Sequence, residues 1–137
     1  MTERPTLVDA NVLIDLALGD STWGEWSRDA LAGARDRGPV AINAIIYAEL
    51  APAFANAADL DAAIPADELE RLPLPFDAGW LAGQAFLRYR RGGWERRSPL
   101  PDFYIGAHAV VGGLTLLTRD ASRYRTYFPG IALITPD

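Results

Sequence analysis

The sequence predicts an α/β fold: one domain with a mostly parallel central sheet of four to five short strands and helices on both faces. Three observations carry this. Short apolar runs at 6–9, 40–42, 114–118 and 131–134 have the length and β-branching of buried strands. Between them lie stretches whose apolar residues recur at helical spacing. Strands that alternate with helices form parallel sheets covered on both sides. At 137 residues the chain is expected to be one domain, spanning 1–137.

In order, Thr6-Leu7-Val8-Asp9 reads as the first strand, and Asn11 is placed to cap a helix over roughly 11–18. Gly19-Asp20-Ser21 breaks that helix. Ser21 is the expected cap of a second one, with Glu25 near the capping-box position. Trp23, Trp26, Ala30, Leu31 and Ala34 share a face of this helix, which Gly38-Pro39 ends. Such a stripe reads as core or as a dimer face. After the strand at 40–42, Asn43 caps a helix from Ala44 to about Phe54. Glu49 shares a face of it with Ile45 and Ile46, a costly place for a carboxylate unless something satisfies it.

Residues 55–71 read as one or two helical pieces interrupted by Pro65, and Leu72-Pro73-Leu74-Pro75 as an extended edge or connecting segment. Asp77 is the expected cap of a helix through about Arg91 that carries Trp80, Leu81, Ala85 and Leu87. The 88–97 segment then sets five arginines, Arg88, Arg90, Arg91, Arg96 and Arg97, against Glu95 alone. With its aromatics it could grip RNA phosphates and bases, bind an acidic part of a protein partner, or be a solvated loop. A helix from Asp102 to about Val111 follows, with Asp102 on the face of Ile105, Gly106 and Ala109; Gly112-Gly113 closes it. The strand at 114–118 ends in Thr118-Arg119-Asp120. Tyr124, Tyr127 and Phe128 lie in a loop or short helix before the last strand at 131–134.

Composition narrows the chemistry. The chain has no Cys, which excludes disulfides, thiolate metal sites and Cys nucleophiles. All 13 basic residues are Arg, so lysine-dependent phosphate loops, Schiff bases and general bases are excluded. His108 is the single histidine, so a multi-histidine metal site is excluded too. Oxygen chemistry remains, and carboxylates suit Mg²⁺ or Mn²⁺. The net charge of −5 argues against a general nucleic-acid coat protein, not against a metal-dependent nuclease. No apolar run approaches the roughly 20 residues of a membrane span, and no signal-peptide pattern opens the chain. A cytoplasmic protein is the expectation.

Four acids stand out by position. Asp9 and Asp120 each follow a strand, and Glu49 and Asp102 lie on the apolar sides of helices. In a parallel sheet these places converge on the edge where ligands bind. Four carboxylates gathered there raise one another's pKa unless a cation intervenes. One or two Mg²⁺ ions would resolve the conflict and could activate water for phosphodiester cleavage. Asn11 and Thr118 are candidates to orient the carboxylates by hydrogen bonds. The rival reading makes Asp9 and Asp102 helix caps and Asp120 a turn residue; spacing alone leaves both open. Asp15 reads as a solvated helix charge and His108 as structural. Arg119 and Arg123 could meet phosphate or pair with nearby acids.

The sequence resembles the PIN-domain family, most closely the VapC-type toxin ribonucleases of type II toxin–antitoxin modules. The residues that carry the resemblance are Val8-Asp9-Ala10-Asn11-Val12-Leu13-Ile14-Asp15, then Asn43 through Tyr47-Ala48-Glu49-Leu50. Pro101-Asp102-Phe103-Tyr104-Ile105-Gly106-Ala107-His108-Ala109, Leu117-Thr118-Arg119-Asp120, Phe128-Pro129-Gly130 and Ile134 complete them, so the likeness spans essentially the whole chain. It implies a PIN-like domain in which Asp9, Glu49, Asp102 and Asp120 are the catalytic, metal-binding acids. Thr118 stands at a polar position often associated with such sites. The implied activity is Mg²⁺- or Mn²⁺-dependent endoribonuclease action through metal-activated water, blocked by a cognate antitoxin; a homodimer is the family expectation. Asp9-Ala10-Asn11 also faintly resembles the start of aspartyl-nucleophile phosphatases, but that type needs an acid where Asn11 stands and a lysine this chain lacks. The non-enzyme alternative is a catalytically silent PIN-like module that binds RNA or a protein partner.

Overall fold

The computed structural model describes residues 4–92 and 100–136. Its centre is a five-stranded sheet, β1 (Thr6–Val8), β2 (Val40–Ile42), β3 (Glu70–Arg71), β4 (Thr115–Leu117) and β5 (Leu133–Ile134), in the order β3-β2-β1-β4-β5. Every neighbouring pair is parallel. β1 and β2 are buried along their whole length, as strands covered on both faces must be. The seven described helices are α1 (Ala10–Leu18), α2 (Gly24–Arg37), α3 (Ala44–Leu50), α4 (Ala57–Ala63), α5 (Phe76–Arg91), α6 (Leu100–Gly112) and α7 (Ser122–Tyr127). None is long and apolar enough to cross a membrane.

The strand order decides where a site can form. The chain winds outward from β1 through β2 to β3, then returns to the other side of β1 for β4 and β5. The right-handed rule for such crossovers sends α1–α4 to one face and α5–α7 to the other, and the packing of α1 on α2 and α3 and of α5 on α6 and α7 agrees with it. The winding reverses between β1 and β4, and a crevice opens at such a switch point beyond the strands' carboxyl ends. The parallel register sets Val8 beside Leu117, and the Asp9 amide donates to the Leu117 carbonyl at 2.9 Å. Asp9 and Thr118 are thereby brought side by side at the mouth of the crevice.

Several local expectations are corrected by side-chain hydrogen bonds. Asp9, not Asn11, caps α1: its Oδ1 accepts from the Ala10 amide at 2.8 Å. Ser21 does not cap α2. Asp20 accepts from the Thr22 and Trp23 amides in the preceding turn, and the helix starts only at Gly24. Asn43 does cap α3, accepting from the Ile46 amide at 2.9 Å, but the helix stops at Leu50 and tightens into a 3-10 turn over 51–53 containing Pro52. The edge strand lies at 70–71, just before the proline segment expected to be the edge, which is tied on by the Leu72 amide to the Ile42 carbonyl. Pro75 rather than Asp77 flanks α5, leaving Asp77 in the first turn.

Asp15 is the largest departure. It is 2% exposed instead of solvated. Arg119 grips it with two guanidinium nitrogens, Nε to Oδ2 at 2.7 Å and Nη2 to Oδ1 at 3.1 Å, and Ser27 Oγ donates to Oδ2 at 2.9 Å. The guanidinium also lies over the Trp23 ring, 5.5 Å from its centroid. One carboxylate thus pins α1 to α2 and to the loop after β4. On the opposite face, Phe103 of α6 sits among Phe86, Tyr89, Tyr127 and Phe128.

Gly106 of α6 is the closest approach in this layer. A Cβ there would stand 2.6 Å from Phe128 Cε2 and 3.1 Å from Tyr124 Cδ1. Gly106→Ala must therefore push α7 outward and is expected to lower the unfolding free energy by roughly 1–3 kcal/mol, the usual cost of overpacking. Urea denaturation checks this; an unchanged midpoint would show that α7 is not seated as described.

Candidate metal and active site

At the switch point lies a cavity of about 270 Å³ lined by Asp9, Ala10, Asn11, Ile14, Glu49, Asp102, Asp120 and Tyr124. All four acids singled out in the sequence face it. Each arrives from a different element: Asp9 from the end of β1, Glu49 from α3, Asp102 from the first turn of α6, and Asp120 from the loop after β4.

Thr118 holds the cavity's inner wall together. Its side chain is fully buried. The hydroxyl donates to Asp9 Oδ2 at 2.9 Å and accepts from Asn11 Nδ2 at 3.1 Å and the Asp120 amide at 3.2 Å. One proton and two lone pairs are all a hydroxyl offers, and all three are used. Asn11 Oδ1 in turn accepts from the Arg119 amide at 3.2 Å, which fixes its amide orientation. Tyr124 was not foreseen as a site residue. Its buried hydroxyl donates to Asp9 Oδ2 at 3.0 Å. Nothing in the local pattern marks it: Asp120 lies before α7, and only the packing of α7 brings the Tyr124 hydroxyl to Asp9.

The electrostatics are unfavourable as they stand. Asp9 accepts three hydrogen bonds, yet burial and then the neighbouring Asp102 charge push its pKa up to about 6. Burial, helped by Asp9 and Asp102, pushes Glu49 up to about 7. Burial also raises Asp102, although Arg123 Nη1, 2.7 Å from its Oδ2, pulls the other way. Burial and the surrounding acids raise the Tyr124 hydroxyl well above its ordinary value. Among the described residues no three acids close tightly enough to form a ready-made ion cage. The donor chemistry nevertheless fits a hard divalent cation: oxygen ligands only, several on one cavity, with a charge conflict that a cation would relieve.

The other candidates separate from this cavity. Arg119 is committed to Asp15, whereas Arg123 reaches Asp102. His108 is buried on α6, and its Nδ1 meets Asn43 Nδ2 at 3.0 Å. Asn43 spends its oxygen on the α3 cap, so its amide group donates and His108 Nδ1 accepts, which makes His108 a neutral structural group. Burial lowers its pKa, in keeping with that state. Of the arginine segment, Arg88 donates to the Tyr127 carbonyl at 2.6 Å and Arg90 lies over the Phe86 ring. Arg91 is exposed at the end of α5, while Arg96 and Arg97 lie outside the described residues.

The fold is a doubly wound parallel α/β domain with an acid-lined cavity at its switch point. The match is narrower than that fold class. The PIN-domain family model matches residues 6–129, and the chain belongs to that family. No curated protein matches it by sequence. Among solved structures, a chain of VapBC2 from Rickettsia felis, bound to a promoter DNA fragment, aligns with TM-score 0.70 and 16% identity over 95% of this chain and 97% of that one. A chain of a toxin–antitoxin complex from Klebsiella pneumoniae aligns with TM-score 0.69 and 24% identity over 96% and 98%. VapBC-1 from nontypeable Haemophilus influenzae gives TM-score 0.71 and 16% identity over 95% and 96%. At these identities the likeness is one of fold.

The raised pKa values set a pH dependence. Between about pH 4 and pH 7 the folded chain holds protons that the unfolded chain has released from Asp9 and Glu49, whose ordinary values are 3.8 and 4.5. Stability without divalent cation is therefore full below that window and falls as pH rises through it, by roughly 3 kcal/mol from Asp9 and by less from Glu49, which is partly screened by water and shares its shift with Asp9. Urea titrations in chelator at pH 4.5 and 7.5 should show the loss, and Asp9→Asn should remove much of it. A curve that rises with pH would contradict the burial described for these acids.

Proposed function

We propose that the protein is a metal-dependent endoribonuclease, the toxin of a toxin–antitoxin pair, with Asp9, Glu49, Asp102 and Asp120 as its catalytic, cation-holding acids. The observation that carries this reading is the convergence of four acids from four elements on one cavity at the switch point. Mg²⁺ or Mn²⁺, when bound, would lower the pKa of a water and neutralise the oxygen that leaves the phosphorus. The chain's own residues do the positioning. Thr118 and Tyr124 fix the Asp9 carboxylate, Asn11 fixes Thr118, and the Asp120 amide is held by the same hydroxyl. Direct hydrolysis by a metal-activated water, without a covalent enzyme intermediate, is part of this reading.

The partners follow from the same reading. The fold is that of a chain found in a toxin–antitoxin complex, which supports a cognate antitoxin for this chain; a cytoplasmic setting belongs to the same proposal. RNA is the substrate class. Arg88, Arg90 and Arg91, with Arg96 and Arg97 further along, are candidate contacts for RNA or antitoxin. Self-association is part of the proposal. Phe76, Trp80 and Leu87 of α5 form an exposed apolar stripe, Phe76 being 99% exposed and Trp80 76%. Two copies of this helix packed antiparallel would set the exposed Asp77 of each toward the arginines at the end of the other. Trp80→Asp is expected to reduce a dimer to one chain by light scattering; an unchanged mass would move any interface elsewhere.

The activity test is cleavage of a total-RNA pool by purified protein in Mg²⁺, in Mn²⁺ and in EDTA. Wild type should give discrete products with either metal and none in EDTA, and Asp9→Asn and Asp102→Asn should lose at least roughly 100-fold, the scale of a lost catalytic group. Absence of products from folded, antitoxin-free wild type under both metals would instead favour a silent module that binds RNA or protein.

A further inference from the structure

Two arginines flank Asp120, and the structure gives them opposite circumstances. Arg119 makes a two-point contact with a carboxylate that is almost entirely buried, so moving it would strand a charge in the core. Among the described residues Arg123 has a single carboxylate contact, to Asp102 at 2.7 Å, and its side chain is 40% exposed. Behind it the guanidinium carbon lies 6.0 Å from the centroid of Tyr89, near the basic end of α5. That contact repeats in reverse, with Arg88 of α5 lying 5.9 Å from the Tyr127 ring of α7. Arg123 is thus held between the acid-lined cavity on one side and an arginine-bearing surface on the other.

We infer that Arg123 is an exchangeable counter-ion: it neutralises Asp102 when the cavity holds no divalent cation, and it becomes a contact for the RNA phosphate when a cation takes Asp102. This rests on the reading of the four acids as the cation site. The Asp102 carboxylate that Arg123 pairs with lines the cavity, so a cation held there would compete with the guanidinium for its charge. A divalent ion brings twice the charge to that oxygen, against a pair weakened by its exposure to water. The displaced guanidinium keeps its charge and its planar fork of donors, which matches a phosphate as well as it matches a carboxylate. Four acids alone would repel the RNA backbone, so a cation released at the moment the acids are neutralised makes RNA binding follow metal binding. By linkage, metal and RNA then strengthen each other's binding, and Arg123 carries much of that coupling.

Two binding measurements test this without relying on turnover. Mn²⁺ affinity is read by electron paramagnetic resonance, and affinity for a short, random-sequence fluorescent RNA is read by anisotropy in Ca²⁺. Arg123→Gln should bind Mn²⁺ about fivefold more tightly, because a competitor is gone, and the gap should narrow as salt rises. The same variant should bind RNA at least roughly tenfold more weakly, with Arg123→Lys recovering part of the loss. Unchanged or weaker Mn²⁺ binding, or unchanged RNA binding, in a variant that melts like wild type would overturn the proposal and leave Arg123 as a strut between α7 and α6. An Asp102→Asn arm separates the two readings: if it loses Mn²⁺ while Arg123→Gln does not gain it, the cation site stands and the exchange falls. If wild type binds no Mn²⁺, both fall.

Discussion

The constraint on which the rest of this structure depends is the Asp9 carboxylate, buried to 5% exposure beside other acids at the end of the central strand. Burial of a charge is tolerable only with partners, and Asp9 has three donors: its own helix's first amide, the Thr118 hydroxyl and the Tyr124 hydroxyl. Those donors come from α1, the end of β4 and α7. Seating one carboxylate therefore fixes the relative positions of elements more than 100 residues apart in the chain. Even so, burial wins over hydrogen bonding, and the pKa stays up at about 6. Asp9 caps α1 and is held by three donors, yet burial still raises its pKa, a combination that recurs at functional sites.

A second buried carboxylate shows the contrast. Asp15 lies on the helix that Asp9 caps, but Arg119 and Ser27 satisfy it fully. It serves to lock α1, α2 and the β4 loop together, and so keeps Asn11 and Asp120 where Thr118 can reach them. The two acids divide the work. Asp15 makes the frame rigid, and Asp9 is left short of positive charge within that frame.

Much of this was legible in the sequence, and the reasons are physical. The strands at 6–8, 40–42 and 115–117 announce themselves as short runs that are mostly apolar and partly β-branched, as strands inside a covered parallel sheet tend to be. Asp9 and Asp120 were visible because an acid at the end of such a run falls at the ligand-binding edge of a parallel sheet. Glu49 was visible because it interrupts an apolar helix face. What was not legible depended on contacts between distant residues. Asp15 looks solvated until Arg119, 104 positions later, is placed over it. Tyr124 looks like core until its hydroxyl is seen to reach Asp9. The N-caps of α1, α2 and α5 each fell two positions from the expected residue, because Asp9, Asn11, Asp20 and Ser21 are all competent to hold a free amide. The choice among them was made by tertiary contacts, above all by Thr118 drawing Asn11 out of that role.

The central claim is that the unsatisfied charge in this cavity is there for a divalent cation. The most direct measurement is anomalous diffraction from crystals grown with Mn²⁺ near pH 8, where Asp9 and Glu49 are ionised. The account predicts an anomalous peak inside the cavity, within coordination distance of Asp9 and at least one of Glu49, Asp102 and Asp120. A well-diffracting crystal with no peak there, or with manganese only on surface acids elsewhere, would contradict it.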